Sequence, residues 1–356
     1  MIISRTPFRV SFFGGGTDYP SWYARHGGSI LGATIDKYCY LTCRYLPPFF
    51  EHRMQVVWSR IERCDEIDEI EHPAVREILR YLKIERGMEI HHVGDLPARS
   101  GMGSSSTFTV GLLHALHGLC GRMPSKYDLA REAIHVEQEI LKETVGSQDQ
   151  VLAAYGGFNH VDFLPNGEIS VRPVTVPEAR IEELTSHLML CYTGIKRTAS
   201  IVADSYVQEI HDKHRQLRIM KDMVDEALSI LVGQDDLAAF GELLHESWQI
   251  KRSLSAAITN PEVDDLYDRA RRAGVIGGKL TGAGGGGFLL LFCPPDRQAR
   301  LRQELDGLIH VPFTFSYVGS QILFYDPEAD YSQAEQDRGR SPILPFHEAT
   351  AQSSSP

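Results

Sequence analysis

The sequence predicts two packed lobes of mixed helices and strands, and three observations carry that reading. At 356 residues the chain is long for one hydrophobic core and comfortable for two. Its 42% hydrophobic and 23% charged residues are the composition of an ordinary globular protein. The pattern also shifts near residue 165, where strands and helices around glycine-rich turns give way to strands, long helices and a glycine run. The expected lobes are therefore 1–165 and 166–327, with a polar, frayed tail over 328–356.

Net charge is −11, from 36 basic and 47 acidic residues. That balance argues against a broad nucleic-acid or anionic-membrane surface and leaves room for a local cationic pocket. The six cysteines are scattered, and Cys39 with Cys43 lacks the second pair or His cluster of a zinc site. Reduced thiols and a cytoplasmic location are expected. The apolar opening run carries Arg5 and Arg9, which a secretory segment does not tolerate. No apolar run of the roughly 18 residues needed for a membrane span follows.

Arg5 to Phe13 and Gly28 to Arg44 read as strands, rich in β-branched and aromatic residues. Between them Gly14-Gly15-Gly16-Thr17-Asp18 can bring backbone close to a ligand. Pro73 to Arg86 has helical spacing, with Val75, Ile78, Leu79 and Leu82 on one side, and Met88 to Val93 reads as a strand. Helices are expected over Thr107 to Leu119 and Lys126 to Glu143, with Gly146 to Gln150 ending the second. Further on come strands (Ile169 to Val176, Leu188 to Tyr192) and helices (Ser205 to Leu231, Asp236 to Leu254, Val263 to Ala273). The glycine-rich Gly277 to Gly287 then precedes a strand at Phe288 to Phe292 and strands around Phe313 to Tyr325.

Four segments carry chemistry. In Pro97 to Ser106 a strand feeds a glycine turn, and hydroxyl residues open a helix. Free N–H groups and the positive end of the helix dipole then converge, which suits phosphate, and a Ser there can ligate Mg²⁺. No Lys follows Gly103, so this is not a Walker loop; the alternative is a Ser cap after a glycine turn. Lys279 to Gly287 is mostly Gly and Ala directly before an apolar strand, which excludes side chains over more than a turn; a bulged hairpin is the alternative. Glu137 borders the apolar stripe of its helix and wants a partner such as a cation, while Asp149 follows that helix; each alone is compatible with a surface acid. Arg9 interrupts an apolar strand and needs a carboxylate or a ligand anion, unless it reaches solvent at a sheet edge.

These segments, in this order over about residues 3 to 325, resemble the GHMP kinases. The sugar-kinase stretch P-G-R-V-x-x-x-G-x-x-T-D-Y is similar to Pro7 through Tyr19, with Phe8 in place of Gly. The loop P-x-x-x-G-[LM]-[GS]-S-S matches Pro97 to Ser105, and [KR]-x-T-G-[AG]-G-x-G-G matches Lys279 to Gly287. Glu137 stands twelve residues before Asp149, the family's spacing between a metal-binding Glu and the Asp of G-x-x-D-Q.

The resemblance implies an α+β fold of two lobes, the first like domain 2 of ribosomal protein S5, the second α/β, with the active site between them. It implies ATP and Mg²⁺ as cofactors. Pro97, Ser100, Gly101, Met102, Gly103, Ser104, Ser105 and Ser106 would wrap the ATP phosphates, and Gly282, Ala283, Gly284 and Gly285 would line the site beside them. Ser105 and Glu137 would hold Mg²⁺, Asp149 would orient or deprotonate the acceptor hydroxyl, and Arg9 would stabilise the transferring phosphoryl group. Asp18, with Gly16 and Thr17, would grip sugar hydroxyls; Trp58 is a separate candidate for a wall of the adenine pocket, with plain core packing the alternative.

Within the family, Arg5 to Tyr19, Ile35 to Tyr38, Val57 to Ser59, Gly156 to Asn159 and Gly277 to Leu280 are similar to D-glycero-D-manno-heptose 7-phosphate 1-kinases; Thr281 departs from a frequent Leu. A substrate that already bears a phosphate needs a second cationic site, for which Lys196, Arg197, Lys251 and Arg252 are the candidates; a solvated charged face is the alternative. Small-molecule partners only are expected, a sugar phosphate and ATP, with room for a homodimer. The competing readings are a kinase for another sugar (L-fucose, galactose, a hexosamine), a sugar- and ATP-binding sensor without transfer, and a diphosphate decarboxylase. The sugar-type Thr17-Asp18-Tyr19 and the Glu137–Asp149 spacing speak against the last.

Overall fold

The computed structural model describes residues 1–98, 100–195, 199–207, 210, 212–233 and 236–327, with 331, 333–334 and 337 beyond. The chain runs β1 (Ile2–Phe13), α1 (Pro20–His26), β2 (Gly28–Tyr45), a hairpin of β3 (Met54–Val57) and β4 (Ile61–Cys64), then α2 (Pro73–Leu82) and β5 (Met88–Gly94). Next come α3 (Ser104–Leu119), α4 (Lys126–His135), a π-helical turn at Val136–Ile140, α5 (Gln148–Tyr155), and the hairpin of β6 (Phe158–Phe163) and β7 (Ile169–Pro173). The second half holds α6 (Glu178–His187), β8 (Leu188–Tyr192), α7 (Ala199–Val207), α8 (His214–Val232), α9 (Ala238–Arg252) and α10 (Pro261–Ala273). It closes with β9 (Gly277–Leu280), β10 (Phe288–Phe292), α11 (Gln298–Glu304), β11 (Ile309–Val311) and β12 (Gln321–Tyr325).

Two sheets result. The first runs β12-β1-β2-β5-β3-β4, with β6 also paired to β2 and β7 to β6; the second runs β11-β8-β10-β9. β2 is long enough to change partners, pairing β6 through Gly28–Ala33 and β5 through Cys39–Tyr45. Its sequence reflects both environments. Gly28 to Ile35 is buried throughout, whereas Cys39, Leu41 and Cys43 alternate with partly exposed residues, the period-2 signature of one covered face. α3 lies across β1, β2 and β12 and is apolar on nearly every side, as a helix with neighbours all round must be.

The structure departs from expectation where backbone breaks outweigh periodicity. Lys83 takes a left-handed conformation (φ 56°) and ends α2 at Leu82 rather than near Arg86. The helix expected through Glu143 ends in the π turn, and Lys142 is left-handed at φ 55°. A new helix starts at Gln148, so Asp149 stands in its first turn instead of trailing a helix end. The stretch Ser205 to Leu231 is divided between α7 and α8. β7 and β12 belong to the first sheet, so that sheet extends past residue 165 to Pro173 and recovers 321–325. The short elements α1, α6, α11, β3, β4 and β6 carried too few periodic residues to be read.

An aromatic cluster welds the halves together. Phe240 of α9 packs edge-on against Phe12 and Phe13 of β1, with ring centroids 5.6 and 5.1 Å away, and tilts 6.2 Å from Phe292 of β10. The ring therefore joins α9 to both sheets. Phe240→Ala should cost about 3–5 kcal/mol, read as a clear drop in the urea midpoint of unfolding.

Candidate active site

Arg9 is placed by the pleat of β1. Phe8, Val10 and Phe12 enter the core, so Arg9 and Ser11 face the other way, into a cleft between the two sheets. The Arg9 guanidinium grips Asp149 with both arms, Nε to Oδ1 at 2.7 Å and Nη2 to Oδ2 at 2.6 Å, and Nη1 donates to the Gly101 carbonyl at 2.8 Å. Arg9 is 3% exposed and Asp149 23%, so the pair is shielded behind while the carboxylate reaches the cleft.

The loop before α3 meets this pair. Gly103 caps α3 in a left-handed conformation (φ 74°) with no side-chain acceptor, which leaves the first N–H groups of the helix directed outward. Gly101, Gly103 and Ser104 to Ser106 line the cleft beside Arg9 and Asp149. Ser100 and Met102 are buried and contribute backbone: the Met102 carbonyl accepts from the Arg9 N–H at 3.3 Å, and the Ser100 carbonyl from the Phe288 N–H at 3.3 Å. Pro97 is exposed on the approach to the loop.

The glycine run explains itself by contact. A Cβ on Gly282 would lie 2.6 Å from the Gly101 Cα, and one on Gly101 would lie 2.5 Å from the Thr281 carbonyl oxygen. The two loops thus touch backbone to backbone. Gly282 and Ala283 line the cleft. Gly284 and Gly285 turn away: Gly284 abuts Ile258, and the Gly285 N–H donates to the Ile258 carbonyl at 2.8 Å.

Asp18 is fully buried at the cleft wall, where Oδ1 accepts from the Gly16 N–H at 2.9 Å and Oδ2 from the Gln148 N–H at 3.2 Å. Burial raises its pKa and the Asp149 charge adds to the rise, while those N–H groups oppose it. The carboxylate also explains Gly146, where any Cβ would fall 1.9 Å from Asp18 Oδ2. Gly16 lines the cleft, but Thr17 is spent inside the loop: its single hydroxyl proton is shared between the Gly14 and Ser29 carbonyls, and its oxygen accepts from the Ser29 N–H. The expectation of Thr17 as a sugar ligand gives way to a loop-holding role.

Glu137 lies behind the loop that opens α3, entirely buried. Ser106 Oγ donates to it at 2.7 Å, Thr109 Oγ1 at 3.0 Å, and the Gln150 amide also donates. Burial lifts its pKa to about 7, with the Glu143 charge adding to the rise and the Ser106, Gln150 and Thr109 donors opposing it. Ser105, expected beside Glu137, instead stands 3.5 Å from Glu143 Oε2, and Ser106 is the hydroxyl that meets Glu137. These hydroxyl and carboxylate oxygens suit Mg²⁺, which takes one or two carboxylates and leaves its other positions to phosphate and water. Trp58 does not line this cleft; its indole N–H donates to Glu62 at 2.6 Å, and its ring meets His72, which stacks on Phe108 of α3. Lys196 and Arg197 lie outside the described residues.

Lys251, one of the four candidates for a second cationic site, and Lys279, the first residue of the glycine-rich motif, come near each other here. Both are buried and both line the cleft. Lys251 Nζ donates to the Gly282 carbonyl, and Lys279 Nζ to the Phe12 carbonyl at 2.9 Å. Burial lowers the Lys251 pKa to about 8, with Arg9 adding to the effect and Asp18 and Asp149 resisting it; Lys279 is pushed down for the same first reason. The signal was present: Phe240, Leu244, Ser247 and Lys251 share the buried stripe of α9, where a cation is out of place without a task.

With the geometry in view, the similarities are specific. Residues 70–157 match the GHMP kinases N terminal domain and residues 228–308 the GHMP kinases C terminal. The chain is 28% identical to D-glycero-alpha-D-manno-heptose 7-phosphate kinase of Campylobacter jejuni, over 85% of this chain and 93% of that one. It is 24% identical to L-fucokinase/L-fucose-1-P guanylyltransferase of Bacteroides fragilis, over 86% of this chain but 36% of that longer protein. A crystal structure described as a D-glycero-D-manno-heptose 1-phosphate kinase from Bacteriodes thetaiotaomicron superposes with a TM-score of 0.74, at 25% identity, over 92% of this chain and all of that one.

The raised Glu137 pKa has a measurable sign. Without metal and nucleotide, the folded state binds a proton there that the unfolded chain releases above about 4.5, so stability falls as pH climbs from about 4.5 through about 7. The loss should be on the order of 3 kcal/mol. Glu137→Gln should remove that component, seen as a flatter dependence of melting temperature on pH between 5 and 8 than the unmutated protein gives.

Proposed function

The chain belongs to the GHMP kinase family, and from that premise we propose that it is a sugar 1-kinase. The reaction is transfer of the γ-phosphoryl group of ATP to the anomeric hydroxyl of D-glycero-D-manno-heptose 7-phosphate, giving the 1,7-bisphosphate for nucleotide-heptose and surface-polysaccharide synthesis. The observation that carries the kinase reading is the Arg9–Asp149 clamp, held against the Gly101 carbonyl at the edge of the phosphate loop. The heptose reading is supported by the similarity to the Campylobacter kinase along nearly its whole length.

In this reading the N–H groups opening α3 and the hydroxyls of Ser104 to Ser106 hold the phosphates of ATP. Ser105 and Glu137, with Ser106 and Glu143 adjacent, would hold Mg²⁺, which when bound neutralises charge on the phosphate oxygens. Asp18 and the Gly16 loop receive the sugar hydroxyls. Each Asp149 oxygen spends one lone pair on Arg9 and keeps another for the acceptor proton. That proton passes to Asp149 as the oxygen–phosphorus bond forms and the bond to ADP breaks. Arg9, two of whose arms fix Asp149, also offsets the negative charge of the phosphoryl group in flight. Most of the acceleration is then positioning and electrostatics.

No helix among the described residues is long and apolar enough to cross a membrane.

ADP release should be robust with heptose 7-phosphate and weak with its dephosphorylated sugar, mannose, galactose, L-fucose, mevalonate and homoserine. Asp149→Asn should lower kcat by roughly 10²–10⁴-fold while preserving the fold. Preference for L-fucose or galactose would replace the substrate but leave the kinase standing. Nucleotide binding with no acceptor turned over would overturn the transferase reading.

A further inference from the structure

The cleft holds more positive charge than phosphoryl transfer from ATP explains. Arg9 already serves Asp149 and the transferring phosphoryl group. Lys251 and Lys279 are 7% and 3% exposed and face the same cleft. Among the described residues neither ammonium has a carboxylate within ion-pair distance; their acceptors are the neutral carbonyls of Gly282, Leu280 and Phe12. Two buried ammonium groups held only by carbonyls are costly in a protein of net charge −11, which has carboxylates to spare. Such a pair is retained where an anion completes it.

The position of the pair selects which anion. The ATP phosphates already have the α3 N-terminus and the hydroxyls of Ser104 to Ser106. Lys251 is held by the carbonyl of Gly282 and Lys279 by that of Phe12 on β1, so neither is bonded to the loop that opens α3. Lys279 is tied to Phe12, two residues before the Gly14–Asp18 loop, and Lys251 shares its wall with Tyr19, Ala203 and Leu254. Ser11 adds a donor there: its hydroxyl is buried, lines the cleft and has no hydrogen-bond partner among the described residues. A neutral sugar needs none of this, since Asp18 and the loop amides already serve hydroxyl groups. Arg252, next to Lys251, is excluded because it pairs with Asp264 at 3.0 Å.

We infer that Lys251 and Lys279, with the Ser11 hydroxyl, form an anion seat for a phosphate monoester carried by the acceptor, and so set the enzyme's preference for a phosphorylated over a free sugar. The inference rests on the sugar-kinase reading for the identity of the acceptor. Lys251 makes the direct contact; Lys279, donating to Phe12, supports it from the side of the sugar loop.

Binding tests it apart from turnover. Calorimetry on Asp149→Asn protein, with heptose 7-phosphate and the dephosphorylated heptose as probes, gives the ratio of the two affinities. The double variants with Lys251→Gln or Lys279→Gln should each cut that ratio, by about 10- to 100-fold for Lys251. Lys251→Arg, which keeps the charge, should retain most of it. Equal weakening of both sugars in Lys251→Gln would reduce the lysine to a staple for the glycine loop and overturn the seat. So would a Lys251→Gln protein that still prefers the phosphorylated sugar as strongly. Melting temperatures of the variants separate either result from misfolding. Should the unmutated protein transfer phosphate to neither sugar while the affinity ratio still depends on Lys251, the kinase assignment falls and the seat stands.

Discussion

Everything at the centre of this molecule hangs on the place where Gly101 and Gly282 meet without side chains. The contact brings the turn before α3 and the turn after β9 within van der Waals distance, and the carbonyls on either side are then used as anchors. Arg9 donates to the Gly101 carbonyl, Lys251 to that of Gly282, and the Phe288 N–H to that of Ser100. One steric constraint therefore sets the spacing between two sheets and, through it, the positions of two cations. A single methyl group at either glycine would force apart the two turns that line the cleft. Catalytic geometry and lobe packing are in this sense the same interaction.

The charges follow from that packing. Arg9, Asp18, Glu137, Lys251 and Lys279 are all buried, yet none is without a hydrogen-bond partner. Asp18 and Glu137 are pushed toward the neutral form and the two lysines likewise, each mainly by loss of solvent. Polyanionic substrates reverse that pressure on the cations, because a phosphate replaces the lost water as a partner. An acidic chain can thus serve anionic ligands without a basic surface: the positive groups are few, interior and grouped by the fold.

Much of the site was legible because its residues violate their surroundings. Arg9 in an apolar strand, Glu137 at the edge of an apolar stripe and the glycine run after Lys279 each break a local rule, and such breaks mark function. What was not legible depends on distance. The choice between Ser105 and Ser106 as the partner of Glu137 depends on how α3 is rotated against the π turn, which no periodicity reveals. Thr17 belongs to a motif read as sugar-binding, yet its hydroxyl closes the turn on Ser29 of β2, a contact twelve residues along the chain. Lys251 offered the same kind of clue as Arg9, but its partners are backbone carbonyls about thirty residues away, invisible to side-chain pairing. Boundaries failed where Lys83 and Lys142 turned left-handed, a conformation that sequence seldom announces outside glycine.

The pairing of β12 with β1 bears on the order of assembly. β1 lies between β2 and β12, and the Met1 amino group donates to the Asp326 carbonyl at 2.7 Å, a contact spanning 325 positions. The strand bearing Arg9 is thus synthesised roughly three hundred residues before the strand that becomes its second neighbour. Closing so long a loop is slow, and until it closes β1 presents an open edge. Nascent chains complete the turn before α3 long before they complete the cleft, and in that interval the free edge of β1 is open to pairing with other chains.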